Sequence, residues 1–374
     1  MKKWFRLISV NIRNTIIVII VLEFFLSLLF QHRDEKRQQE NVDFKLASGV
    51  YQNVDDEIVR DLFTEQYRVD SEWAPYVHYR LKEFNGTYQN VNSNGSRKTI
   101  NLNLKNTENA LKIFCFGGST IFGTGARDEF SIPSLLSKYI YKNYPNRNIE
   151  ITNFGCHGYI RNIENIQLQL EILNNNIPDI VIFYDGVNEI ISAQENNKAG
   201  YPTNASYRKN EFKTGTSYAK KISFLYASSN IKRFITYLQR KVFKKKTTEV
   251  TTLGNLPQEI ATQYTRSIKI TKALSAEYDF EVYNFLQPVI FLDKPLSEYE
   301  KLMAKKSTYL KELYLDSYKY ILQNNELKKD STFINISAIF EQNSTQIYTD
   351  FCHIAERGND SIAKRIFNTI RPSF

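Results

Sequence analysis

A serine hydroxyl becomes a useful nucleophile only when a base takes its proton, an acid orients that base, and donors receive the oxyanion. This chain offers a candidate for each part in three short strings far apart in sequence. Ser119 stands in Gly117-Gly118-Ser119-Thr120, Asn188 in Asp185-Gly186-Val187-Asn188, and His353 in Asp350-Phe351-Cys352-His353. The two glycines before Ser119 allow a sharp turn and a close approach to the main chain. A nucleophile at such a turn can offer its own backbone N–H to the oxyanion. The string is not the G-x-S-x-G elbow, because Ile121 takes its last position. Read alone, it serves equally well as a tight structural turn.

Asp350 and His353 are three apart, so in a turn or a helix start they face the same side. The carboxylate then holds the imidazole tautomer while the other ring nitrogen addresses Ser119. The chain has four histidines, and the other three carry no such orienter: His32 lies in a polar stretch, His78 in an aromatic lead-in, and His157 after a strand. The Asn188 amide and the Gly155 N–H, in Asn153-Phe154-Gly155, are candidate oxyanion donors. Both residue types also dominate ordinary turns. No cofactor and no metal site is read. Cys115, Cys156 and Cys352 are odd in number and widely spaced, and they match no disulfide framework or zinc pattern. Cys115 reads as core. Cys156 and Cys352 flank the site strings, so they are either a pair close in space or two free thiols packed beneath the site.

Alternating elements must position these strings. Strands are predicted over 111–116, 149–153, 179–184, 280–286 and 332–336. Helices are predicted over 131–144, 162–175, 258–278, 297–323 and 356–370. Five strands separated by helices give an α/β fold, a three-layer sandwich on a five-stranded parallel sheet. Ligands of such sheets bind beyond the carboxyl ends of the strands, where these strings fall.

Upstream, residues 15–30 read TIIVIIVLEFFLSLLF, apolar but for Thr15, Glu23 and Ser27. With residues 7–10 this is a slightly short membrane span. Lys2, Lys3, Arg6 and Arg13 precede it, and no small-residue cleavage pattern follows. The reading is an uncleaved anchor in the cell membrane with the remainder outside the cytoplasm. Residues 1–30 are then tip and anchor, 31–72 a polar stalk, and 73–374 the main domain. That domain has a loop-rich or β lead-in over 73–110 and an insertion over 191–256.

The net charge of +9 is local. Residues 1–37 carry a net +4 and residues 231–248 a net +7, which leaves −2 for the rest and no broad basic face for nucleic acid. Within the insertion, 230–246 places Ile231, Phe234, Ile235, Leu238 and Val242 on one helical face among Lys and Arg. Such a helix either lies on an anionic membrane, grips an acidic glycan, or is a solvated surface helix.

Taken together, the order Ser119, Gly155, Asn188, Asp350-x-x-His353 resembles the SGNH (GDSL-type) hydrolase superfamily over about residues 111–370. The resemblance implies the three-layer fold named above, catalysis by Ser119, Asp350 and His353, and an oxyanion hole of Ser119, Gly155 and Asn188. Gly118 stands where the family's namesake string has Asp, a form similar to membrane-anchored bacterial members. Gln287-Pro288 is also similar to those members and receives no role. Three activities follow as expectations: an ester hydrolase on an acylated envelope glycan, an acyltransferase using the same acyl-serine, or an inactive glycan-binding scaffold. The intact set of five residues speaks against the scaffold.

Overall fold

Buried side chains alternate between the two faces of a central sheet, and each face has its own helices. The structure is a computed structural model describing residues 2–206, 208–209, 225–226, 229–242, 254–292 and 294–373. Its helices are α1 (Lys2–Ala47), α2 (Asp56–Arg68), α3 (Ser119–Phe122), α4 (Ile132–Asn143), α5 (Arg161–Leu173) and α6 (Val187–Asn196). They continue with α7 (Asn230–Val242), α8 (Leu256–Tyr278), α9 (Glu298–Lys306), α10 (Thr308–Gln323), α11 (Asn325–Lys328) and α12 (Glu356–Ile370). The strands are β1 (Ser71–Ala74), β2 (His78–Leu81), β3 (Phe84–Asn85), β4 (Asn90–Val91), β5 (Leu111–Gly117), β6 (Ile149–Asn153), β7 (Ile180–Asp185), β8 (Glu281–Leu286) and β9 (Phe333–Asn335).

The main sheet has the order β6-β5-β7-β8-β9, and each neighbouring pair is parallel. Successive strand residues point to opposite faces. Ile113 and Cys115 of β5 and Ile182 and Tyr184 of β7 pack with Leu136 and Ile140 of α4 and Ile362 and Ile366 of α12. Phe114 and Phe116 of β5 and Val181 and Phe183 of β7 pack on the other side with Leu168 and Ile172 of α5. Phe116 stacks between Phe154 and Phe183, at ring centroid distances of 5.1 and 5.2 Å. Each such side chain contributes about 1.5–3 kcal/mol by leaving water. The result is the three-layer α/β/α sandwich that the sequence predicts.

Two boundaries differ from the reading. The single helix predicted over 297–323 is two, because Ser307 caps the end of α9 and the start of α10 with non-helical φ −110° and ψ 16°. Serine competes for backbone hydrogen bonds and so favours helix ends. The stalk predicted over 31–72 is divided. Residues 31–47 continue α1, whereas Lys45–Ala205 belongs with Thr252–Phe374 in one compact unit. The reason is a stripe at i, i+3, i+4 on α2, where Val59, Leu62 and Phe63 are buried under a charged surface. Charge density hid that stripe. The lead-in is a pair of short hairpins, β1–β2 and β3–β4.

The second unit comprises Met1–Phe44 and Ser206–Thr251. Helix α1 contains a stretch long and apolar enough to cross a membrane, with nearly all of it exposed. Glu23 interrupts that stretch, and its carboxylate accepts the N–H groups of Asn230 and Ile231 at the start of α7. A helix N-terminus has unsatisfied donors and partial positive charge, so the carboxylate suits it. Phe234, Ile235 and Leu238 of α7 are exposed. Residues 243–246 of the expected basic helix, and much of the insertion expected over 191–256, lie outside the described residues.

Candidate active site

Strand β5 ends at Gly117, and Ser119 is the first residue of α3. Both glycines are required by packing. A Cβ on Gly117 would stand 2.5 Å from the Tyr184 carbonyl oxygen, and one on Gly118 would stand 2.1 Å from Asn188 Nδ2. As the first residue of a helix, Ser119 has no intrahelical acceptor for its N–H. The turn after it is clamped by a residue that sequence reasoning missed. Arg97 is buried, pairs with Asp128 at 2.9 Å, and donates to the carbonyls of Phe122, Gly123 and Ala126. Removing one partner of such a buried pair costs about 3–5 kcal/mol. From the other side, Tyr51 donates to the Gly125 carbonyl at 2.8 Å, and Gln66 accepts the Gly125 N–H at 2.8 Å.

Ser119, His353 and Asp350 come together in the structure. Ser119 Oγ lies 2.7 Å from His353 Nε2, and His353 Nδ1 lies 2.7 Å from Asp350 Oδ2. The other oxygen of Asp350 accepts the N–H groups of Cys352 and His353, at 2.9 and 2.8 Å. Burial alone would raise the Asp350 carboxyl. The adjacent imidazole and these hydrogen bonds outweigh it and hold the group well below the usual carboxylate range. This arrangement can take a proton from a serine hydroxyl and stabilise the imidazolium that results.

Asp350, Cys352 and His353 also offer potential metal-ligand atoms within 4.8 Å of one another. Their donors are better matched to the hydrogen-bonded relay. Both ring nitrogens and both carboxylate oxygens of the relay are engaged, and burial, with Asp350 nearby, pushes the Cys352 thiol well above its ordinary value. All three cysteines are free and buried. Cys156 and Cys352 sit in different hydrophobic clusters rather than side by side under the serine.

The oxyanion donors divide. Asn188 is adjacent to Gly118 and donates through Nδ2 to the Tyr159 carbonyl at 2.7 Å, which leaves the second amide hydrogen. Gly155 does not fit the role given to it. Its N–H donates to Asn153 Oδ1 at 2.9 Å, and a Cβ there would lie 2.2 Å from the Phe122 nitrogen. The Asn at the end of β6 forms a side-chain turn with the backbone two residues on, as Asn does at strand ends. Three residues further, Gly158 sits at φ +74°, and its N–H serves no hydrogen bond among the described residues.

Beneath Asn188 lies a buried polar network with little sequence signal. Arg161 pairs with Asp185 at 2.9 Å and donates to Asn284. Glu189 accepts the N–H groups of Arg161 and Gly186, which fixes the start of α6. Burial, then Asp185, raises Glu189 to about 7. His157 lies against Phe122 and meets Thr124 Oγ1 at 3.1 Å. Burial, then His353 and Arg97, lowers it to about 4. That shift favours the neutral ring, and it is His353 rather than His157 that lies beside Ser119.

No family model matches the chain, and no curated protein matches it. Among solved structures, the chain is similar to an acetyl xylan esterase, AlAXEase, at 14% identity and TM-score 0.39, covering 69% of this chain and 99% of that one. It is similar to a lipolytic G-D-S-L family member from Veillonella parvula at 12% identity and TM-score 0.37, covering 69% and 97%. A two-domain esterase active on acetylated mannans is similar at 12% identity and TM-score 0.39, covering 70% of this chain and 49% of that one.

Proposed function

We propose that this chain is a membrane-anchored serine ester hydrolase working through an acyl-Ser119 intermediate. The observation that carries the reading is the continuous relay Ser119–His353–Asp350, with both links at 2.7 Å. His353 takes the Ser119 proton as Oγ attacks the ester carbonyl. It then returns the proton to the departing alkoxide, and a water activated by the same imidazole releases the acid. Asp350 stays ionised throughout and stabilises the imidazolium. The oxyanion is received by the Ser119 N–H and the second Asn188 hydrogen, with the Gly158 N–H in place of that of Gly155.

The ester is carried by an acylated glycan of the cell envelope. The support is positional: basic residues precede the apolar stretch of α1, so the compact unit is delivered to the outer side. The test is a fluorophosphonate probe on the full chain in detergent, followed by release of acetate from acetylated glycans. The wild type should be labelled and Ser119→Ala spared. Labelling that persists in Ser119→Ala would place the nucleophile elsewhere.

A further inference from the structure

Trp73 and Tyr76 are large aromatic side chains left 68% and 76% exposed on the β1–β2 hairpin. The hairpin is not a free loop. Its register pairs Trp73 with Tyr79 and Ala74 with His78, so the turn is Pro75-Tyr76-Val77. Tyr76 and His78 hold it with φ of +67° and +70°, values that non-glycine residues seldom adopt. Trp73 packs edge-on against His78 at 6.5 Å. Unusual backbone that holds aromatic rings toward solvent calls for something on those rings.

The row continues inward. Directly paired residues on an antiparallel pair share a face, so Trp73 and Tyr79 are neighbours. Tyr79 meets Tyr159 edge-to-face at 5.5 Å and donates to the His157 carbonyl at 2.6 Å. Tyr159 donates back to the Tyr79 carbonyl, and its own carbonyl receives Asn188. Asn188 in turn abuts Gly118, next to Ser119. The exposed Trp73 and Tyr76 are therefore joined, through half-buried Tyr79 and buried Tyr159, to the shelf that carries the candidate oxyanion donors.

We infer that Trp73 and Tyr76, at the exposed end of this row, form a carbohydrate-binding platform, on which sugar rings of the substrate stack so that an ester further along the chain reaches Ser119. The apolar C–H face of a pyranose suits an exposed indole or phenol ring, which combines a flat apolar body with a polar edge. A bilayer is the other surface that attracts Trp and Tyr. The same hairpin carries the exposed ion pairs Arg80–Glu72 at 2.7 Å and Lys82–Asp70 at 2.5 Å, which immersion in lipid would penalise. The inference rests on the ester-hydrolase reading for its purpose, but binding is measured separately from turnover.

The chain has two tryptophans, and Trp4 lies in α1, so Trp4→Phe leaves Trp73 as the sole indole reporter of the full-length protein. In micelles, and with Ser119→Ala added to prevent turnover, xylohexaose, cellohexaose or chitohexaose should shift Trp73 emission saturably. Tyr76→Ala should weaken that binding several-fold. In the Ser119 enzyme, Trp73→Ala should raise KM for O-acetylated xylohexaose roughly tenfold, the size of one aromatic stacking contact. Activity on p-nitrophenyl acetate, too small to reach the platform, should not change. A Trp73 response with no ester turnover would keep the platform and sink the hydrolase reading. Turnover of p-nitrophenyl acetate with no response to any hexaose would overturn the platform alone. Quenching of Trp73 by brominated lipid in reconstituted vesicles, without a sugar response, would replace it with a membrane contact.

Discussion

Asn188 donates to the Tyr159 carbonyl at 2.7 Å, and this bond ties the first turn of α6 to the turn after β6. It holds one amide hydrogen in place and so aims the other. On the proposed mechanism, a donor held this way pays no reorganisation when negative charge develops, and would act on the transition state. Asn188→Ala should lower kcat by about 10²–10³ with little change in KM. Steady-state kinetics on p-nitrophenyl acetate would check it. A rise in KM at constant kcat would make Asn188 a substrate-binding residue instead.

The relay gives a second expectation. His353→Ala removes the ring joined to Ser119 and should cost several orders of magnitude in kcat. Asp350→Asn should cost less, because its backbone contacts from Cys352 and His353 still shape the loop. The Asp350 carboxyl is held well below the usual range, so it remains ionised wherever the imidazole is neutral. The acidic limb of the pH–rate profile should therefore not report Asp350. Full activity in His353→Ala together with loss in His157→Ala would transfer the base to the other histidine.

His157 should leave its mark on stability instead. Its folded value is about 4, below the ordinary histidine value of about 6.5 in the unfolded chain. A depressed value means the fold favours the neutral ring. Its contribution is fully present above about pH 6.5 and is lost as pH falls toward 4. His157→Gln, which keeps a hydrogen-bonding group near Thr124, should flatten the fall in urea midpoint between pH 7 and 4.5. Glu189, raised to about 7, acts with the opposite sign, but it is common to both proteins and cancels in the comparison. Identical pH profiles for the two proteins would show that His157 does not carry the acid sensitivity.

Elements with a strong period were legible, because burial on both faces writes itself into strands such as β5 and β7. The relay was legible too, since Asp350 and His353 are local and Ser119 stands at a strand end. What the sequence hid were roles decided by a single hydrogen bond. Gly155 looked available, yet the Asn153 side chain engages its N–H, and nothing in Asn-Phe-Gly distinguishes a free donor from a used one. Arg97 and Arg161 were silent because each meets partners contributed by distant segments. Helix α2 was missed because three apolar residues were diluted by charged neighbours.

Glu23 bears on the last prediction, the topology. A carboxylate in the middle of an apolar run weakens a membrane span when it is unpaired. Here it caps the first turn of α7, where Asn230 and Ile231 donate to it, so the cost is offset by donors that would otherwise lack partners. On the proposed reading the span is then compatible with its charge, and the Lys2, Lys3, Arg6 and Arg13 cluster would hold the N-terminus in the cytoplasm. A C-terminal alkaline phosphatase fusion should be active and a C-terminal green fluorescent protein fusion dark. Glu23→Ala should preserve that pattern, because removing the charge can only ease insertion, while loosening α7 enough to expose it to protease. The opposite reporter pattern would invert the chain and remove envelope glycans from its substrates, leaving cytoplasmic esters for Ser119.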